Sequence, residues 1–228
     1  MSAVPAAIVK AFGQLGDRAV VAVLVKSIAI TLVVFAGLGV GLYLALAEAG
    51  QRFGVEQGWA GLAAVLLVPI AMWLLFRVVA LAVLQFFADE VVAAVEARHY
   101  PARAAQARPL PLRREVALAT RGLARALGYN LLALPVAAVL VFTAIGPAVV
   151  FLAVNAVLLG REFTDMAWLR HCAGAERDNP VSRADRVLLG GAVAGMMLVP
   201  FLNFVAPVIG AAAGTHLVLR RIEREAAP

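Results

Sequence analysis

Few residues in this chain have the type and spacing to do chemistry, and most of them are arginines beside apolar runs. Arg18 precedes the first long apolar run. At a helix start, free backbone N–H groups and a guanidinium together suit an anion; the alternative is an arginine that sets topology and binds lipid headgroups. Arg77 follows the 19-residue uncharged stretch Gly58 to Phe76 and has 11 uncharged residues after it. It is either a functional charge at membrane depth or an interfacial side chain that snorkels to water. Gln85 lies eight residues on, on roughly the same helical face. Asn203, between Pro200 and Pro207, lines a polar path or satisfies the backbone that those prolines break.

The remaining polar residues point to structure. Thr215 and His216 stand near the end of an apolar run and are expected to be hydrogen-bonded there. Arg161, Glu162 and Asp165 read as the solvated end of another run. His99 and His171 flank apolar stretches and share no metal-ligand spacing with nearby carboxylates. Cys172 is the only cysteine, which excludes an intramolecular disulfide and a cysteine metal cluster. The sequence contains no Gly-x-Ser-x-Gly, no P-loop, no GxGxxG after a strand and no paired-carboxylate motif. The expectation is a protein that is not an enzyme and carries no cofactor or metal, and whose transport, if it transports, is not driven by its own nucleotide site.

The elements that must carry these residues are membrane helices. Hydrophobic residues make up 63% of the 228 and charged residues 15%, against roughly 45–50% and 25% in soluble domains. Ser27 to Ala47 is an uncharged run of 21 residues. As a helix it rises about 31 Å, matching a hydrocarbon core of about 30 Å. Ala45-Leu46-Ala47 resembles a signal-peptidase site, but the run exceeds an h-region of about 7–15 residues, so an uncleaved span is expected. Gly58 to Phe76 also spans and continues past Arg77 to Ala88. Spans are thus expected over about 19–47 and 58–88.

Two further uncharged runs, 126–160 and 187–219, have 35 and 33 residues. Each is too long for one straight span and short for two spans and a turn, which need about 40 or more. Each has breakers near its middle: Pro135 and Gly146-Pro147 in the first, Pro200 and Pro207 in the second. The predicted fold is therefore all-α: an integral membrane protein with two long transmembrane helices and two hemi-penetrating (re-entrant) helical hairpins. The other arrangement is two kinked full spans per run. Segments 89–125 and 161–186 are expected to be cytoplasmic and charged, and 1–228 to form a single membrane domain.

Charge sets the orientation. With both hairpins returning to their starting face, 18 of the 20 basic residues lie on one side; the connector after the first span has one, Arg52, and Arg77 stands alone. That asymmetry predicts cytoplasmic termini. The formal charge of +6 does not indicate nucleic acid, because the basic residues flank apolar runs without aromatic interleaving. Gly37/Gly41, Gly191/Gly195 and Gly210/Gly214 form GxxxG pairs, which let helix backbones approach closely within a bundle or a homo-oligomer. The Arg and Ala bias fits a GC-rich bacterial genome and a bacterial inner (cytoplasmic) membrane.

Several segments together resemble the CysZ/etoposide-induced protein 2.4 family over nearly the whole chain. They are Gly16-Asp17-Arg18, Phe86-Phe87-Ala88-Asp89-Glu90, Ile145-Gly146-Pro147, Leu159-Gly160-Arg161-Glu162-Phe163 and Pro200-Phe201-Leu202-Asn203-Phe204-Val205-Ala206-Pro207. The resemblance implies two long spans with half-penetrating hairpins, oligomers in the lipid bilayer, and a permease or channel for sulfate or a related small anion. It also implies an anion site at Gly16, Asp17 and Arg18. Here Asp17 stands where the family has an apolar residue, and Ala19 where a second arginine often follows. A carboxylate at that point opposes an anion. The competing class is a non-transporting membrane protein that organises lipid or partner proteins.

Overall fold

The helices follow from the apolar runs, but their ends do not. The computed structural model describes residues 3–52, 88–108, 110–143, 145–172, 178–200 and 202–226, and every regular element among them is helical. We number them α1 (Val4–Gly13), α2 (Arg18–Arg52), α3 (88–99), α4 (Pro101–Ala104), α5 (Leu112–Val139), α6 (Gly146–Trp168), α7 (Arg183–Met197) and α8 (Leu202–Ala226). Among the described residues, four helices are long and apolar enough to cross a membrane: Arg18–Ala45, Val116–Phe142, Gly146–Trp168 and Leu202–Ala226. The chain is an all-α membrane protein. The second expected span, about 58–88, lies outside the described residues except at Ala88, and so do Arg77 and Gln85.

Charge does not end these helices. α2 runs on through Glu48 to Arg52, α5 begins at Leu112 although its uncharged run begins at Ala126, and α6 continues past Arg161 to Trp168. Charged residues such as Arg, Glu and Lys have good helix propensity, so a helix leaves the apolar run without stopping. Backbone chemistry sets the breaks. After α5 a 3-10 turn, Leu140–Phe142, leads to Thr143, whose Oγ1 donates to the Leu140 carbonyl at 2.8 Å and accepts from the Gly146 N–H at 3.1 Å. Pro147 then sits in the first turn of α6, where a missing N–H costs nothing. Pro135 and Pro207 lie inside α5 and α8 without ending them.

Two compact units divide the chain. The smaller, Val21–Phe87, is described as far as Arg52 and holds most of α2. Ser27 and Thr31 there return their hydroxyls to the helix, at 2.8 Å to the Leu24 carbonyl and 2.7 Å to the Ser27 carbonyl. Polar side chains are thereby satisfied inside an apolar helix.

The larger unit, Met1–Val20 with Ala88–Pro228, is built around α8. Every residue from Ala206 to Leu219 is buried, as in a helix surrounded on all sides, and α1, α6 and α7 pack on it. α6 and α7 also pack tightly on each other. A Cβ on Gly160 would overlap the Arg186 carbonyl, and one on Gly190 would overlap the Ala156 carbonyl. α6 meets α8 in the same way: the Phe163 ring lies against Gly210 and its backbone against Gly214. Of the expected GxxxG pairs, Gly210/Gly214 makes a helix crossing in this unit. Gly191 meets only the Ala156 methyl, and Gly195, like Gly37 and Gly41, has no described atom within reach.

α7 is held at its start. Ser182 caps it, accepting from the Asp185 N–H at 3.1 Å and donating to the Asp185 carboxylate at 3.0 Å, a reciprocal cap. Arg221 near the end of α8 reaches the same carboxylate at 3.3 Å. α5 is the outlier: its apolar window contains no buried residue, and Leu123, Leu127, Leu131 and Leu134 face outward, a surface suited to lipid.

The crossing gives a prediction with a diagnostic sign. In an open helix Gly→Ala stabilises by up to about 1 kcal/mol. Gly160→Ala must instead push α6 from α7, at about 1–3 kcal/mol. The apparent Tm of the purified chain is expected to fall by several degrees for Gly160→Ala and to hold or rise for Gly195→Ala; equal behaviour of the two would refute the crossing.

Candidate functional site

The turn that carries Gly16, Asp17 and Arg18 is made by the end of α1. Gln14 N–H donates to the Ala11 carbonyl at 3.1 Å, Leu15 N–H to the Phe12 carbonyl at 3.2 Å, and Asp17 N–H to the Gln14 carbonyl at 2.9 Å. Arg18 then opens α2. Gly16 and Arg18 are exposed and Asp17 is partly buried. Nothing lies within 4 Å of a Cβ built on Gly16, so the turn itself leaves room for a larger residue.

The Asp17 carboxylate does not face solvent alone. Arg98, at the end of α3, ion-pairs with it, Nε to Oδ2 at 3.1 Å. His99 Nε2 lies 3.8 Å from the same oxygen, too far for a hydrogen bond. That nitrogen is buried without a hydrogen-bond partner among the described residues.

Behind the turn is a buried polar cluster. The α1 stripe Val4, Ala7, Ala11 faces inward and ends on Gln14, which is 4% exposed. The Gln14 amide lies 2.8 Å from Nε2 of His216 on α8. The Tyr100 hydroxyl lies 2.8 Å from the other ring nitrogen, Nδ1. With the amide donating to Nε2, the imidazole carries its proton on Nδ1 and donates to the Tyr100 oxygen. His99 meets the His216 ring edge-on, centroids 5.4 Å apart, and Lys10 Nζ stands 5.4 Å over the Tyr100 ring. His216, fully buried, thus ties α1 and the end of α3 to the central helix.

A second anchor fixes α3 from its other side. Glu96 is fully buried and accepts from Arg170 Nε at 3.1 Å and from His171 Nε2 at 2.9 Å. A buried carboxylate needs such partners to offset desolvation. Arg161 and Asn179 hold Asp165, at 3.1 and 3.0 Å. Among the described residues no group of three or more His, Cys, Asp or Glu could hold a metal, and Cys172 is a buried free thiol.

Electrostatically the region is positive. Burial pushes the Lys10 amine below its usual value, helped by Arg220 and opposed by Glu223. Burial raises the Tyr100 hydroxyl, with Arg220 pulling the other way. His99 is held below the ordinary imidazole value, first by burial, then by Lys10 and Arg98, against the opposing pull of Asp17.

The structure therefore brings Gly16, Asp17 and Arg18 together with Arg98 and His99, and leaves Asn203 apart. Asn203 is 13 residues from His216 on α8, roughly 20 Å along the helix. It sits at the α7–α8 break, where its N–H donates to the Val199 carbonyl at 3.1 Å and its Oδ1 is buried without a partner among the described residues. Sequence reasoning missed Gln14, Tyr100 and Arg98. For Gln14 a signal existed, a polar residue continuing an apolar i, i+3, i+7 stripe; for the other two the contacts are too distant in sequence.

The depressed His99 value predicts acid sensitivity. The unfolded chain takes up this proton first as pH falls below about 6.5, so the contribution is complete above that value and is lost as pH drops toward the folded value. The apparent Tm should fall between about pH 7 and 5, less steeply in His99→Gln. Equal slopes in the two proteins would contradict the assignment.

No curated protein matches the chain. Residues 7–207 match the family described as sulfate transporter CysZ/etoposide-induced protein 2.4, a stretch that takes in the turn, Glu96 to Tyr100 and both helix breaks and stops short of His216. The chain is a member of the CysZ/etoposide-induced protein 2.4 family.

Proposed function

We propose that the chain is a membrane permease or channel for sulfate or a related small anion. The observation that carries this reading is the Gly16–Arg18 turn, where Arg18 opens a 35-residue helix and carries no bond among the described residues. A guanidinium beside the first-turn N–H groups of a helix start, which have no partner within the helix, is chemistry for an oxyanion. The family's description as a sulfate transporter supports it. The work of the site is to exchange part of the anion's hydration for fixed donors, and passage is passive or coupled to a gradient.

The hairpins α5–α6 and α7–α8 are read as half-penetrating. The uncharged part of α7, Val187 to Met197, rises roughly 17 Å, short of a core of about 30 Å. Breaks at that depth expose backbone polar groups, which protein or a water-filled path must cover; the Asn203 Oδ1, without a partner among the described residues, suits such a path. The protein sits in the bacterial inner membrane with both termini cytoplasmic, as a homo-oligomer.

Sulfate uptake into proteoliposomes tests the activity. Uptake above empty vesicles is expected, reduced on the order of tenfold by Arg18→Ala, the weight of one charge-assisted contact; uptake equal to empty vesicles at several pH values would sink the reading. Hairpin depth has its own test. A cysteine at Ile145, in a Cys172→Ser background, should resist an impermeant thiol reagent applied from the periplasm. Ready labelling there means full spans.

A further inference from the structure

We infer that Arg98 is the second cation of the anion site and that Asp17 is the positioning residue that holds it there. The inference rests on the reading of the Gly16–Arg18 turn given above and extends it to a residue 80 positions away. On its own the turn carries one carboxylate and one guanidinium, Asp17 and Arg18, whose charges cancel. Arg98 changes that balance, leaving one carboxylate against two guanidinium groups.

The geometry of the pair is what suits Arg98 to the task. It meets Asp17 through Nε, at 3.1 Å, and among the described residues it makes no other bond. The two terminal Nη groups, with four of the five N–H donors, therefore have no partner among the described residues. Its side chain is 56% exposed, against 16% for Asp17. The carboxylate thus lies inward, screened by Arg98 and by the His99 ring at 3.8 Å, while the outer edge of the fork points toward water. That edge matches two oxygens of a tetrahedral oxyanion.

The position of Arg98 is not left to an exposed ion pair alone, which is worth about 1 kcal/mol or less. The preceding turn of α3 is pinned by buried Glu96 to Arg170 and His171, and the following residues, His99 and Tyr100, pack on His216. Asp17 is held at its end by its N–H bond to the Gln14 carbonyl, and Gln14 by His216. Both partners are thus braced by one imidazole, so the fork meets the turn at a set place.

A plain surface salt bridge would give the same distances, so the test is one of sign. Equilibrium binding of radiolabelled sulfate to the full-length protein in detergent is measured for wild type, Arg18→Ala, Arg98→Ala, Arg98→Lys, Asp17→Asn and the Asp17→Asn/Arg98→Ala double variant. Apparent Tm values confirm that each is folded. Arg98→Ala is expected to weaken binding on the order of tenfold, comparably to Arg18→Ala, with partial recovery in Arg98→Lys, which keeps the charge and loses the fork. Asp17→Asn removes a negative charge yet should weaken binding several-fold, because it releases Arg98; the double variant should bind no worse than Arg98→Ala. Tighter binding by Asp17→Asn, or unchanged binding by Arg98→Ala while Arg18→Ala loses it, overturns this inference and leaves the reading of the turn standing. Absence of binding in the wild type, or indifference to Arg18→Ala, removes both.

Discussion

Close approach of helix backbones is the constraint on which the larger unit depends. In lipid no hydrophobic driving force pushes one apolar helix against another, so association rests on van der Waals contact and on interhelical polar bonds. Van der Waals contact is gained over many atoms at short range, and only small residues permit it along a crossing. Gly160 and Gly190 bring α6 and α7 together until backbone meets backbone, and Gly210 and Gly214 make room for Phe163. Residues 210–214, Gly-Ala-Ala-Ala-Gly, give a smooth stretch to α8, the helix on which α1, α6 and α7 pack.

A helix so enclosed has no water to satisfy its polar groups, and each one must find a partner in protein. Thr215 returns its hydroxyl to the Ala211 carbonyl at 2.7 Å and Thr164 to the Gly160 carbonyl at 2.9 Å, local solutions that bind nothing to anything else. His216 cannot do this, because a ring with nitrogens on two sides needs two partners in different directions. It finds them in Gln14 and Tyr100, at the end of α1 and just beyond the end of α3. The need to satisfy one buried imidazole thereby fixes the end of α1 and the end of α3 together. The turn and Arg98 are carried by those two ends, so the surface arrangement of charge inherits its geometry from the buried bond.

Much of this was legible in the sequence and some was not, for physical reasons. The break at Gly146-Pro147 could be read because proline and glycine act on the backbone locally. The same local logic failed at Pro135 and Pro207, where the surrounding helix overrides one lost hydrogen bond. The uncharged runs marked spans rather than whole helices, since the helices run on past them with Glu48 and Arg121 inside. Gly210/Gly214 was visible as a motif, whereas Gly160 and Gly190 belong to no GxxxG pair, and their importance comes from where two helices cross. Contacts such as Gln14 with His216, 202 residues apart, leave no mark that spacing can show.

Asp17 is where local and spatial readings part most clearly. Read along the chain, it is a carboxylate beside Arg18 and argues against an anion. In space its charge is met at 3.1 Å by Arg98, which no spacing rule connects to it. Coulomb interactions follow distance in the folded chain, and at a partly buried site a neighbour at 3 Å outweighs charges a Debye length away, about 8–10 Å. The sign of a site is therefore a property of the fold, set here by whichever helix delivers its cation to the turn. With α3 braced on both sides, by Glu96 and by Tyr100, that delivery does not depend on the ion pair itself. A carboxylate in the sequence of an anion site is then compatible with a positive site, provided the packing behind it brings more cations than it cancels.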